Sequence, residues 1–247
     1  MKSMIKLLAA LALAPLLALA SEGENIKLDK APIDLANQAS LQRGARTFVN
    51  YCLNCHSANY MRYSRLQDLG LTDEEIKNNL LFTREKVGET MTIAMSKEDA
   101  KSWFGAAPPD LSVIARSRGP DWLFTYLRSF YRDDSRPTGW NNMVFDKVGM
   151  PNVLATLQGE QIAHFRVEKD HEGNDQQVFD RFELVIPGSV SLAQYDAMVG
   201  DLVNYLAWMG EPAKEKRMTT GIFVLLFLGI FFVVAYYLKK EFWKDVH

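Results

Sequence analysis

Both cysteines of this 247-residue chain stand in one short stretch, Tyr51-Cys52-Leu53-Asn54-Cys55-His56, beside one of its four histidines. Two thiols one helical turn apart can add to the two vinyl groups of a haem, and the next imidazole then sits beneath the iron as an axial ligand. Other uses of the pair fit worse. A thioredoxin-type redox pair belongs in a βαβ setting, which the flanking residues do not suggest. A zinc half-site needs a second pair of ligands, and the chain has no further cysteine. A disulfide between residues three apart would constrain almost nothing. The spacing therefore points to covalent haem attachment through Cys52 and Cys55, with His56 as the first iron ligand.

An iron held by one imidazole needs a sixth ligand, or else it is an open site for small molecules. Met61 is too near His56 to reach the opposite side, Met198 and Met209 lie on an apolar helical stripe, and Met218 borders the apolar C-terminal run. Met91, Met95, Met143 and Met150 remain, with His164 as an outsider in the alternating, strand-like stretch Ile162–Val167. Met150 sits in Val148-Gly149-Met150-Pro151-Asn152, where glycine and proline pin a loop. That places it only slightly ahead of Met143.

Elements that could position these groups can be read from periodicity. Leu41, Ala45, Phe48, Val49 and Cys52 form the stripe of an amphipathic helix that delivers the cysteines at its end. Tyr195, Met198, Val199, Leu202, Leu206 and Met209 repeat that spacing in a later helix, ended by Gly210-Glu211-Pro212. Small c-type cytochromes cross their first and last helices through a glycine. Gly44 against Tyr205 is the expected contact, unless Gly44 simply faces solvent.

The two ends of the chain set the compartment. Lys2 and Lys6, the apolar run Leu7–Leu17 and the small-x-small end Ala18-Leu19-Ala20 read as a cleaved secretory signal, residues 1–20. Thr219–Leu238 carries no charge, and thirteen of those residues are Leu, Ile, Phe or Val. On an insertion scale they favour the bilayer by roughly 4–8 kcal/mol. Residues 214–238 are thus expected to be a linker and transmembrane anchor, and 239–247 a cytoplasmic tail. The exported part, 21–213, is one domain's worth of chain and carries 20 Lys and Arg against 27 Asp and Glu, a net of −7 hidden by the whole-chain value of −2. Nothing in that balance suggests nucleic-acid binding. Six acids fall in Glu168–Glu183, either a field that steers a basic partner or merely a solvated hairpin.

The chain resembles the cytochrome c1 family, the haem subunits of the cytochrome bc1 complex. The resemblance rests on Cys52–Ser57 with Tyr60, Arg62 and Tyr63, on Ala107-Pro108-Pro109-Asp110-Leu111-Ser112 and Ile114–Gly119, on Asn142–Phe145 through Gly149-Met150-Pro151, and on Asp201–Trp208 through Glu211-Pro212. It implies a haem c with iron between His56 and Met150. It also implies Arg118 as partner of a haem propionate, Trp122 where the family often has a tyrosine beside that propionate, and the Pro109 carbonyl as acceptor from the His56 Nδ1–H. The implied partners are cytochrome b, a Rieske iron–sulfur protein, a soluble cytochrome c as electron acceptor, and the lipid bilayer. The implied place is a bacterial inner membrane with the haem domain in the periplasm. A membrane-anchored monohaem cytochrome feeding a terminal oxidase shares the haem motif and anchor. The chain lacks the extra cysteine pair of some bacterial members, so packing is expected to hold the Met150 loop rigid. The expected fold is mainly α: a class-I cytochrome-c-like haem domain with long loops at 57–120 and 132–160, a small β-hairpin near 162–186, and one C-terminal transmembrane helix.

Overall fold

A computed structural model describes residues 27–169 and 173–245; the signal segment, Asp170 and Glu172 lie outside the described residues. Helix α1, Gln38–Thr47, opens on Asn37, whose side chain accepts from the Ser40 N–H, and runs on into a π-helical turn, Phe48–Cys52. The wider turn carries the stripe to Cys52, and the backbone then closes with the His56 N–H on the Cys52 carbonyl at 2.9 Å.

The stretch 57–120 is not one long loop. It holds β1 (Ala58–Arg62), a 3-10 turn (Tyr63–Leu69), α2 (Asp73–Asn79), β2 (Thr90–Met91), α3 (Lys97–Phe104) and α4 (Ile114–Ser117), with β1 antiparallel to β2. Local capping chemistry builds these pieces: Thr72 and Glu75 form a reciprocal capping box on α2, and Ser96 caps α3. Next come α5 (Pro120–Arg128), then β3 (Phe130–Arg132) paired with β4 (Trp140–Asn142), and the short α6 (Ala155–Gln158). The expected loop at 132–160 is thus also partly structured.

The hairpin is longer than the alternation suggests, with β5 (Gly159–Lys169) antiparallel to β6 (Asp175–Pro187). Register places Ala163, Phe165 and Val167 on one face with Phe182 and Phe179, against Tyr131 of β3. His164, Arg166, Glu168 and Glu183 occupy the other face.

Helix α7, Leu192–Gly210, is capped by a Ser191/Gln194 box and buries Tyr195, Val199, Leu202, Tyr205 and Leu206 against the core. It crosses α1 at Gly44. A Cβ at Gly44 would lie 2.1 Å from the Asp201 carbonyl oxygen and 2.6 Å from Tyr205 Cβ, so the backbones meet where only glycine fits. Leu41, Ala45 and Phe48 fill the same seam, and a fully buried Leu or Phe there contributes about 1.5–3 kcal/mol. Arg43 closes the exposed side with a fork onto Asp201. Helix α8, Lys214–Phe242, is one continuous 29-residue rod with no side chain buried, its apolar surface fully outward. That is the pattern of a single membrane-spanning anchor.

Candidate haem site

Cys52, Cys55 and His56 open onto a cavity of about 340 Å³ with largely apolar walls, lined also by Phe104, Ala107–Pro109, Arg118, Trp122, Tyr126 and Met150. The π turn and the tight turn after it fix the two thiols, and neither cysteine is in a disulfide. Apolar surroundings push the Cys52 thiol up to about 12.

The imidazole is held by a loop folded back from fifty residues downstream. Pro109 O lies 2.7 Å from His56 Nδ1; because a carbonyl can only accept, Nδ1 carries the proton and Nε2 keeps its lone pair. Pro109 is itself fixed by its neighbours. Asp110 accepts from the Asn59 and Ser112 N–H groups at 2.8 Å each, the Ser112 hydroxyl accepts from the Tyr60 N–H, and the Leu111 N–H donates to the Ser57 carbonyl. Burial lowers the His56 pKa, against the Pro109 hydrogen bond and the Asp110 charge, which raise it. A buried neutral imidazole with a free Nε2 is the form that ligates iron.

Met150 lines the same cavity and accepts a hydrogen bond from the Tyr126 hydroxyl, 3.4 Å from oxygen to sulfur. Burial pushes the Tyr126 hydroxyl far above the ordinary phenol range, so it remains protonated and a donor. The preceding loop is held by two adjacent asparagines. Asn142, 1% exposed, donates to the Tyr126 carbonyl at 2.7 Å, while its Oδ1 accepts from the Val144 and Phe145 N–H groups. Asn141 donates to Asp133 and Asp146 and accepts from the Lys147 N–H. That bond, with Arg136 on the Lys147 carbonyl, holds Lys147 at φ 57, a left-handed backbone rare for lysine. Hydrogen bonds, rather than packing alone, therefore supply the rigidity expected of this loop.

Other candidates lie elsewhere. Met91 is buried beside Tyr205, whose hydroxyl points at its sulfur at 3.7 Å, and His164 pairs with Glu183 on the hairpin at 2.7 Å. Neither Met95 nor Met143 is among the residues lining the cavity. Trp122 stacks on Tyr126 at 4.8 Å and 11°, and the Arg118 guanidinium lies 5.1 Å over Trp122 and 6.0 Å over Phe145 at the cavity wall.

The cytochrome c1 family model matches residues 29–163 and 189–246. The chain belongs to the cytochrome c1 family. It is 51% identical over 238 residues to cytochrome c1 of Allochromatium vinosum, covering 96% of both chains. It is also 51% identical over 245 residues to a protein of Nitrosomonas europaea named ammonia monooxygenase gamma subunit, covering 99% of both. A protein of Bradyrhizobium diazoefficiens named cytochrome b/c1 matches 87% of this chain at 25% identity over 34% of its own length. Cytochrome c1 is an electron-transfer subunit of the bc1 complex and carries covalently bound haem c. The residues here fit that group: two free thiols, an imidazole with its outer nitrogen satisfied, a thioether and an arginine share one apolar cavity.

Most of the ribbon, residues 164–188, falls outside the cytochrome c1 match. Its acids are largely paired: Glu168 and Asp180 with Arg166, Asp180 also with Arg181, Asp175 with Lys169, and Glu183 with His164. Among the described residues, Glu168, Asp175 and Asp180 thus each lie against an arginine or lysine.

Asp110 and Asn142 stand in segments that carry the family resemblance, but no sequence signal gives their roles as backbone clamps, nor that of Tyr126. Helix α5 does offer a usable signal, with Pro120 at its first position, Asp121 in its first turn, and Leu123, Phe124 and Leu127 on one side.

Proposed function

We propose that this chain is the cytochrome c1 of a bacterial quinol–cytochrome c oxidoreductase. In this reading, haem c is attached through Cys52 and Cys55 and its iron is ligated by His56 and Met150, within a class-I cytochrome-c-like domain. The mature domain, 21–213, stands in the periplasm on a single anchor, with residues 239–247 on the cytoplasmic side. The observation that carries it is the convergence of both thiols, the Pro109-tied imidazole and the Tyr126-tied thioether on one apolar cavity in a chain of this family.

The haem supplies one-electron exchange between ferric and ferrous iron. The protein's part is to orient and to exclude water. Pro109 fixes the imidazole tautomer, so Nε2 faces the cavity. Met150 offers a soft thioether that favours the ferrous state and so a high potential. Arg118, backed by Trp122 and Phe145, offers its guanidinium N–H donors to a propionate. The apolar walls keep the site dry, which limits the dielectric response to each change in iron charge. No bond is made or broken on this subunit; it accepts one electron from a Rieske iron–sulfur protein and passes it to a soluble cytochrome c.

Met150→Leu should keep the covalent haem and lower the midpoint potential sharply; an unchanged potential would place the sixth ligand elsewhere. Purification of the full chain in mild detergent tests the assembly. Recovery of cytochrome b and a Rieske protein supports the reading. The Nitrosomonas relative's name carries a second one, a redox subunit accompanying an ammonia monooxygenase; recovery of monooxygenase subunits without cytochrome b would favour it.

A further inference from the structure

We propose that Tyr126 is a positioning residue for the sixth ligand, holding Met150 both through its hydroxyl on the sulfur and through its carbonyl on the loop that carries it. The inference rests on His56/Met150 ligation as proposed above. A thioether sulfur has two lone pairs, so one can ligate iron while the other accepts from a hydroxyl. Tyr126 is 8% exposed and its oxygen is 3.4 Å from Met150 Sδ. Its ring cannot swing away easily, being stacked on Trp122 at 4.8 Å and met edge-on by Phe130 at 5.0 Å.

The backbone of the same residue does the second half of the work. The Tyr126 carbonyl accepts from Asn142 Nδ2, and the opposite end of that amide gathers the Val144 and Phe145 N–H groups at 2.9 and 3.2 Å. Both ends of the Asn142 amide are therefore used, one on the helix and one on the loop. The loop that ends in Met150 is thus docked on the residue whose hydroxyl reaches the sulfur. A hydrogen bond to the sulfur draws density from it, weakening its donation to ferric more than to ferrous iron, so it raises the potential. By fixing one lone pair it also selects which face of the sulfur is left to ligate and slows departure of the thioether.

The test uses the full holo chain in detergent with Tyr126→Phe, which removes one oxygen and keeps the ring. The expected result is retained covalent haem and retained red-edge thioether-to-ferric absorption, with a lower midpoint potential and several-fold faster binding of imidazole to the ferric haem. Potential and imidazole binding both unchanged would overturn the proposal, reducing Tyr126 to packing. A second measurement needs no substitution: in the reduced, diamagnetic wild type, the Tyr126 hydroxyl proton should be slow to exchange and show an NOE to the Met150 methyl. A rapidly exchanging hydroxyl without that NOE overturns it even where the variant fails to fold. Absence of the thioether absorption from the wild type itself would instead sink the Met150 ligation beneath the proposal.

Discussion

The two sides of the cavity are built by different means. The His56 side is written mostly in adjacent residues: a helix, a π turn and five consecutive positions place two thiols and an imidazole, with one returning loop to fix the tautomer. The Met150 side has no such motif. Tyr126, Asn141, Asn142 and Lys147 spread over more than twenty residues, and hydrogen bonds between α5, β4 and the loop do what chain adjacency does opposite. A site half made by adjacency and half by a polar network should fail in two different ways.

The largest effect expected is on the side made by adjacency, through the helix pair beneath it. Gly44→Val would drive a side chain into the Asp201 carbonyl, 2.1 Å from the ideal Cβ, which is backbone and cannot rotate aside. Overpacking at a well-packed site typically costs about 1–3 kcal/mol and occasionally more. Rigid helix backbone on both sides puts this case at the upper end, a large part of the roughly 5–15 kcal/mol a domain has to lose. The expected outcome is little holo protein by haem stain. A normal yield and unfolding midpoint would mean that α1 and α7 can separate without loss, and the helix crossing would not be what supports the thiols.

The asparagine and aspartate clamps provide a paired comparison one step smaller. Asn142→Ala leaves the part-buried Val144 and Phe145 N–H groups without their acceptor, while the Tyr126 carbonyl keeps its bonds from Ser129, costing about 2–4 kcal/mol at about 1–2 kcal/mol for each N–H group. Asp110→Ala releases the N–H groups of Asn59 and Ser112 nearer to solvent, costing about 1–2 kcal/mol. Ferrous carbon monoxide binding, which competes with the thioether, should rise strongly in the first variant and little in the second. Equal rises would erase the distinction between the two sides.

The same distinction decides how much of the molecule is legible in its amino-acid sequence. Cys-x-x-Cys-His is legible because its geometry is enforced by neighbours in the chain, and the two helices that cross because period 3.6 projects onto faces; their contact at Gly44 follows from the way small c-type cytochromes cross such helices. The clamping roles of Asp110 and Asn142 are not legible, because a polar side chain that bridges two distant backbone segments leaves no periodic trace. The short capped helices at 73–79 and 97–104 are hidden for a related reason: seven or eight residues give too few turns for a stripe, and their marks are confined to the ends, Thr72/Glu75, Ser96 and Gly105. The apolar anchor is plain, since α8 needs no partner to declare its length.

The smallest effect expected concerns the surface. Six acids between 168 and 183 suggest either a steering field or a solvated hairpin; Glu168, Asp175 and Asp180 each have an arginine or lysine at hand, and exposed pairs of this kind largely cancel beyond about a Debye length, near 8–10 Å. Electron transfer to a basic soluble cytochrome c should therefore change less than about twofold on Asp175→Asn or Asp180→Asn at physiological salt, small beside the roughly ten- to thousandfold that focused fields can give. If either substitution slows association tenfold while wild-type transfer falls steeply with salt, the ribbon contributes to docking in spite of its internal pairing, and its charged face becomes a third region whose function is set by neither adjacency nor buried hydrogen bonds.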